Sequence, residues 1–167
     1  VGTHDNNAFG THHAKDVFDL MATKGVNLGT KDFPHIFSSA CKIPSQYMHG
    51  IRFDIQTKEN DIESVVESLW HHPAVALTHK TDSNQVFSFG RDHGMFGRIL
   101  NQTVVNVESL NVRELEDGTN KVSGYCFTPQ DGNSLLSSIA AATWAINPLD
   151  YQARVFKAFE NYLFSEV

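Results

Sequence analysis

Four of the nine histidines stand in adjacent pairs, His12-His13 and His71-His72, and a fifth, His49, precedes a glycine at the head of a segment with strand-like alternation. Adjacent imidazoles are wrongly spaced for one metal ion, because helical ligands sit three or four residues apart. No His-x-x-x-His or Cys-x-x-Cys accompanies them, and no metal site is expected. His71 and His72 end an amphipathic segment just before Pro73, where imidazoles interact well with helical carbonyls. His12 and His13 differ. They follow "NNAFGT", a Gly/Thr/Asn stretch read as a loop, whose N–H groups and hydroxyls, with two ring donors, suit a phosphate oxygen. An imidazole has the unperturbed pKa nearest neutrality, so His49, fixed on a strand, can act as a general base, and Gly50 beside it admits a ligand or backbone. Cys41 and Cys126 lie in "SSACKIPS" and "SGYCFT" and read as small packed hydrophobes rather than nucleophiles.

The elements that must position these residues are visible as periodicities. A short helix is expected from Asp16 to Thr23, with Val17, Leu20 and Met21 inward and Gly25 ending it. Two strands follow. The first is in "FPHIFSSACKIPS"; the second, in "YMHGIRFDIQT", alternates Ile51, Phe53 and Ile55 with Arg52, Asp54 and Gln56. "NDIESVVESLWHH" places Ile62, Val65, Val66, Leu69 and Trp70 on one helical face, with Asn60 or Asp61 as cap. "AVALTH" reads as a buried strand and "SNQVFSFGRDHG" as a helix capped by Ser83 and ended by Gly94. "QTVVNVESL", "NVREL" and "KVSGYCFT" read as strands, the last two a hairpin across "EDGTNK". Two helices close the chain: the apolar "NSLLSSIAAATWAI", and one opened by Asp150 with Val155, Phe156, Phe159, Tyr162 and Leu163 as its stripe. The expected class is α+β, a mostly antiparallel sheet covered by helices.

Composition narrows the functions. The 167 residues, 41% hydrophobic with twelve Phe, suffice for one domain and core spanning 1–167. A net charge of -6 without a basic stripe argues against nucleic acid as a partner. No apolar run reaches the roughly 20 residues that span a bilayer, and two separated cysteines are no disulfide framework; a cytoplasmic protein with no membrane partner is expected. The start at Val1, without a methionine, suggests part of a longer protein. No Gly-x-Gly-x-x-Gly follows a strand and no Walker lysine loop occurs, so a Rossmann unit is not expected within this chain.

The order "THHAKDV", "IFSSACKIPSQYMHGIRFDI", "NDIESVVESLWHHPAVALTHK", "FGRDHGMFGRILNQTVVNVESLNV" and "YCFTPQDGN" resembles the catalytic, C-terminal domain of archaeal-type (type II) glyceraldehyde-3-phosphate dehydrogenase, from about Thr11 to Ala142. The resemblance implies that dehydrogenase fold, as one part of a two-domain enzyme of glycolysis and gluconeogenesis. The implied chemistry is NAD(P)-dependent oxidation of a phosphorylated aldehyde. A cysteine thiolate attacks the aldehyde, hydride passes to nicotinamide, and inorganic phosphate opens the thioester to an acyl phosphate. It further implies His12 and His13 as substrate-phosphate ligands, His49 as base, Gln130 as a contact to NAD or NADP, and a homo-oligomer whose interface is commonly the sheet of this domain. Several positions depart from the family pattern. Ala14-Lys15 replace Gly-Pro, Ile51 replaces a second His, and Pro129-Gln130-Asp131-Gly132 replace His-Gln-Glu-Ser. The family's Ser-Cys-Asn-Thr-Thr segment and nucleotide domain lie upstream of the part matched, so neither Cys41 nor Cys126 stands in the nucleophile's place and this chain alone is not expected to turn over. Two other readings remain: another acyl-phosphate-forming enzyme such as a semialdehyde dehydrogenase, and a non-catalytic binding or assembly module derived from a dehydrogenase.

Overall fold

The computed structural model describes residues 8–40, 48–58, 61–94, 102–129 and 135–167. The chain divides into two compact units, Val1–Pro44 and Ser45–Val167.

In the first unit, helix α1 spans His12–Thr23, four residues longer at its start than the apolar stripe predicts. Its buried residues are Ala14 and Phe18, packed with Phe9 and partly buried Ala8, Leu28 and Ile36. The expected stripe of Val17, Leu20 and Met21 is exposed. What sets the rotation is the edge-on contact of Phe9 and Phe18, whose ring centroids are 5.2 Å apart. The helix stops as read, at Gly25 with φ +75°. The Gly25 N–H donates to the Ala22 carbonyl and the Val26 N–H to that of Met21, each at 3.1 Å, the double closure that a left-handed glycine permits. The strand expected from Phe33 does not form over residues 33–40. Pro34 lacks an N–H and makes only an isolated bridge with Gly29. The N–H groups of His35 and Ser38 donate to different segments, at Leu28 (2.7 Å) and Phe9 (3.0 Å). Residues 41–45 of that reading lie outside the described residues.

The second unit is built on a sheet of five strands, β1 Met48–Thr57, β2 Val75–Thr78, β3 Thr103–Asn106, β4 Asn111–Glu114 and β5 Asn120–Pro129, with helices α2 Ile62–Trp70, α3 Ser83–Asp92, α4 Leu135–Ile146 and α5 Tyr151–Phe159. The strand order is β1-β5-β3-β2, and β4 also pairs with β5. The pairs β1·β5, β3·β5 and β4·β5 are antiparallel, whereas β2·β3 is parallel. Across both units the described residues thus form five α-helices and one mixed, mostly antiparallel open sheet, an α+β architecture. Among the described residues no helix is long and apolar enough to cross a membrane.

Side chains directly opposite in a ladder share a face, so the register separates two cores. On one face Leu77, Val105 and Cys126 are buried beneath Val66 and Leu69 of α2, with Phe53 and Leu110 beside them. On the other, Met48, Ala76 and Val104 pack with Val86 of α3, Val167, and the rings of Phe87, Phe89, Phe127 and Phe164. Asp61 caps α2, accepting the Ser64 N–H at 2.7 Å. Asp82, rather than the expected Ser83, caps α3 by accepting the Asn84 N–H at 2.7 Å. The strand expected over residues 102–110 ends at Asn106 and passes into a 3₁₀ turn, Val107–Ser109. The last two helices pack on each other, with Leu136 and Val155 buried, while Trp144 and Ile146 of the apolar α4 face outward.

One buried side chain ties the sheet to the C-terminal segment. Gln102 Nε2 donates to the carbonyls of Pro73 (3.1 Å), Val75 (3.1 Å) and Phe164 (2.8 Å), and its Oε1 accepts the Phe164 N–H (2.8 Å). Beyond it the Leu77 N–H donates to Ser165, the Val167 N–H to Leu77, and the Thr78 hydroxyl to the Val167 carbonyl at 2.6 Å. Replacing Gln102 with Leu keeps the volume but orphans these buried backbone groups. An unfolding free energy lower by about 2–4 kcal/mol is expected by denaturant titration; an unchanged midpoint contradicts the tie.

Candidate functional site

The two histidines read as loop residues are the first two residues of α1. Thr11 is extended (φ -123°, ψ 161°) and stands at the N-cap position, but its side chain does not cap the helix. Its hydroxyl lies 2.5 Å from that of Ser38 instead. Gly10 sets up this entry. At φ +78° its backbone is left-handed, and a Cβ there would stand 2.0 Å from the Ser38 carbonyl oxygen. The chain can therefore press against Ser38 and turn sharply into the helix only with glycine at this position. His12 and His13 are exposed, with ring centroids 3.9 Å apart.

The first turn of a helix presents N–H groups with no intrahelical acceptor and the positive end of the helix dipole. Here that turn carries no acidic residue. Lys15, one turn on, is drawn to Asp19 at 2.7 Å. The Lys15 hydrogen bond holds the Asp19 carboxyl below the usual carboxylate range. Backbone N–H groups of a helix start and imidazoles are donor types that suit a small oxyanion.

His49 lies in the second unit, on β1, with its side chain exposed and opposite Thr128. It shares a face with Ile51 and buried Cys126. Gly50, the next residue along β1, faces the opposite side of the sheet, where a Cβ would meet nothing within 4 Å. Gln130 lies outside the described residues. Pro129, which precedes it in sequence, pairs with Met48, which precedes His49. Cys41 also lies outside the described residues. Cys126 sits in the core, and burial pushes its thiol up to about 11, so at neutral pH it is a thiol and a poor nucleophile.

The other histidine pair terminates a helix as read. His71 is the C-cap of α2 with its ring 4.0 Å from the Glu67 carboxylate, and the His72 Nδ1 accepts the Ala74 N–H at 3.2 Å. Among the described residues no group of three or more His, Cys, Asp and Glu is gathered around one point.

One arrangement escaped the sequence. His79 Nδ1 and Glu108 Oε1 are 2.8 Å apart, just past the carboxyl ends of the parallel strands β2 and β3. Glu108 borders an open groove of about 370 Å³ that also touches Thr81, Asn106, Ser109, Tyr125 and Phe127. Its polar walls are fixed: Asn106 Nδ2 donates to the Lys80 carbonyl at 2.6 Å, and Ser109 Oγ donates to the Asn106 carbonyl at 2.7 Å. A polar residue directly after each of "AVALT" and "TVVNV" was the available signal. Only the parallel pairing, across a whole helix, makes them neighbours.

Comparison with family models, with curated proteins and with solved structures returns no match.

Two outcomes test this geometry. In the native protein at pH 8, an alkylating reagent followed by peptide mass mapping should leave Cys126 unmodified, its reaction rising only towards pH 11 or on unfolding. Rapid native labelling of Cys126 would show that it is not enclosed. Gly10→Ala should destabilise the first unit by at least about 1–2 kcal/mol, because a left-handed backbone and a carbonyl clash coincide there. Hydrogen exchange across residues 8–23 reads this directly, and unchanged protection contradicts the turn.

Proposed function

We propose that this chain is the substrate-binding half of a phosphorylating aldehyde dehydrogenase of the archaeal glyceraldehyde-3-phosphate type, with the dehydrogenase C-terminal-domain fold. The carrying observation is the exposed His12-His13 pair in the first turn of α1, which the Thr11 side chain leaves to meet Ser38. A phosphate ester or inorganic phosphate there meets neutral and cationic donors and no carboxylate in the first turn. That is the chemistry asked of the doublet by the resemblance over Thr11–Ala142.

In this reading His49 moves protons. Its imidazole takes the thiol proton as sulfur adds to the aldehyde carbon and returns it to the carbonyl oxygen, then takes the proton of the resulting hydroxyl as hydride leaves and the thioester carbonyl forms. Strand β1 carries the ring at an exposed position. The nucleophilic thiol is assigned to an upstream segment, and the high, burial-driven value of Cys126 supports leaving it out of the chemistry. NAD or NADP would accept the hydride, and the balanced reaction gives an acyl phosphate and one proton. The described residues offer no glycine-rich turn between a strand and a helix, so they do not fit a dinucleotide. Its seat is assigned to another domain, with Gln130 as the contact from this chain.

The natural gene product, supplied with glyceraldehyde 3-phosphate, inorganic phosphate and NAD or NADP, should form reduced cofactor. His12→Ala/His13→Ala should raise KM for the phosphorylated aldehyde about tenfold or more with a smaller effect on kcat, as loss of charge-assisted phosphate bonds predicts. His49→Ala should lower kcat about 10²–10⁴-fold without changing the melting temperature, the range expected for a general base. Turnover on an unphosphorylated semialdehyde alone would favour the other dehydrogenase class. No turnover with retained phosphate-ester binding would mark a non-catalytic module, and wild-type turnover in the His49 variant would remove it from the base role.

A further inference from the structure

Strand β1 is ten residues long, and among the described residues its only strand partner is β5. The sheet's far edge is differently finished, because residues Ser165–Val167 bond along β2. Among the described residues no strand lies along the outer edge of β1, and residues 49–52 and 54–56 are exposed, so the alternating N–H and C=O groups there are placed for pairing with another strand. Long open edges are normally blunted. This one exposes Ile51 (41%) and Ile55 (55%) on one face, and on the other Arg52 and Asp54, the guanidinium bidentate on the carboxylate at 2.9 and 3.2 Å. Ser123 and Lys121 also bond Asp54, holding it ionised at neutral pH.

We propose that β1 pairs with β1 of a second copy of this chain, antiparallel and centred on Phe53, to make one sheet continuous across a two-fold axis. Charge and hydrophobic complementarity select this register. With Phe53 opposite Phe53 of the second copy, Arg52 stands opposite Asp54 and Asp54 opposite Arg52, while Ile51 and Ile55 face each other on the other side of the sheet. Moving the centre by one residue sets Arg52 against Arg52 or Asp54 against Asp54, a like-charge contact at the axis. The inference does not depend on the dehydrogenase reading, and it concerns a strand edge rather than a sheet face.

Sedimentation velocity on the full chain should show reversible, concentration-dependent dimers. Arg52→Asp alone and Asp54→Arg alone should each weaken association about tenfold or more, since both cross-strand pairs become repulsive. Mixing these two variants should restore dimers, because the aspartates of one chain then oppose the arginines of the other. The contact within each chain stays repulsive in the mixture, so only pairing between chains explains recovery. Should either variant unfold, Ile51→Lys and Ile55→Glu at exposed positions give the same readout, weak alone and restored together. A monomeric wild-type chain at all concentrations, folded single variants that dimerise normally, or mixtures that fail to recover would each overturn the proposal.

Discussion

The arrangement of the second unit depends on one buried carboxamide. Gln102 sits directly before β3, and its single side chain meets the entry to β2 at Pro73 and Val75 and the C-terminal segment at Phe164. A buried amide must find partners for both its N–H groups and its oxygen, and backbone groups left without it would lack water as well. Satisfying all of them at once fixes β2 beside β3 and lays residues Ser165–Val167 along the outer side of β2. The apolar layers then follow: Ala76 and Val104 against Val86 and Val167 on one side, Leu77 and Val105 beneath α2 on the other. Hydrophobic burial supplies the larger energy. The carboxamide decides which strands are neighbours.

A comparable local constraint shapes the first unit. The left-handed Gly10 brings the chain against Ser38, and Phe9 against Phe18 sets the rotation of α1. With Ala14 and Phe18 turned into the core, His12 and His13 open α1 with exposed side chains. Packing therefore sets two exposed imidazoles side by side at the start of the helix. Had Val17, Leu20 and Met21 been buried as their spacing suggests, the helix would present a different face and the pair a different direction.

Features governed by local periodicity were legible in the sequence. The alternation of β1, the hairpin of β4 and β5, and the cap of α2 with the Val65, Val66 and Leu69 part of its face follow from residues close together in the chain, whereas Trp70, expected on that face, is exposed. The rotation of α1 was not, because one aromatic contact from outside the helix outweighs a three-residue stripe. Nor was its start: histidine is a middling helix former, and a Gly-Thr entry reads equally as loop. The strand expected after Phe33 failed where Pro34 removed a ladder donor. His79 and Glu108 became partners only through a parallel pairing that no short window contains. Of the candidate site, the residue types of His12, His13 and His49 were readable, and their setting came from tertiary packing.

The most direct measurement follows the imidazole resonances of the nine histidines by NMR while inorganic phosphate is titrated into the full chain. If the first turn of α1 is an oxyanion seat, the ring signals of His12 and His13 shift together and saturably, and those of His71 and His72 stay in place. Phosphate that binds without moving the His12 and His13 rings, or that moves all nine alike, would contradict the phosphate role on which the functional reading rests.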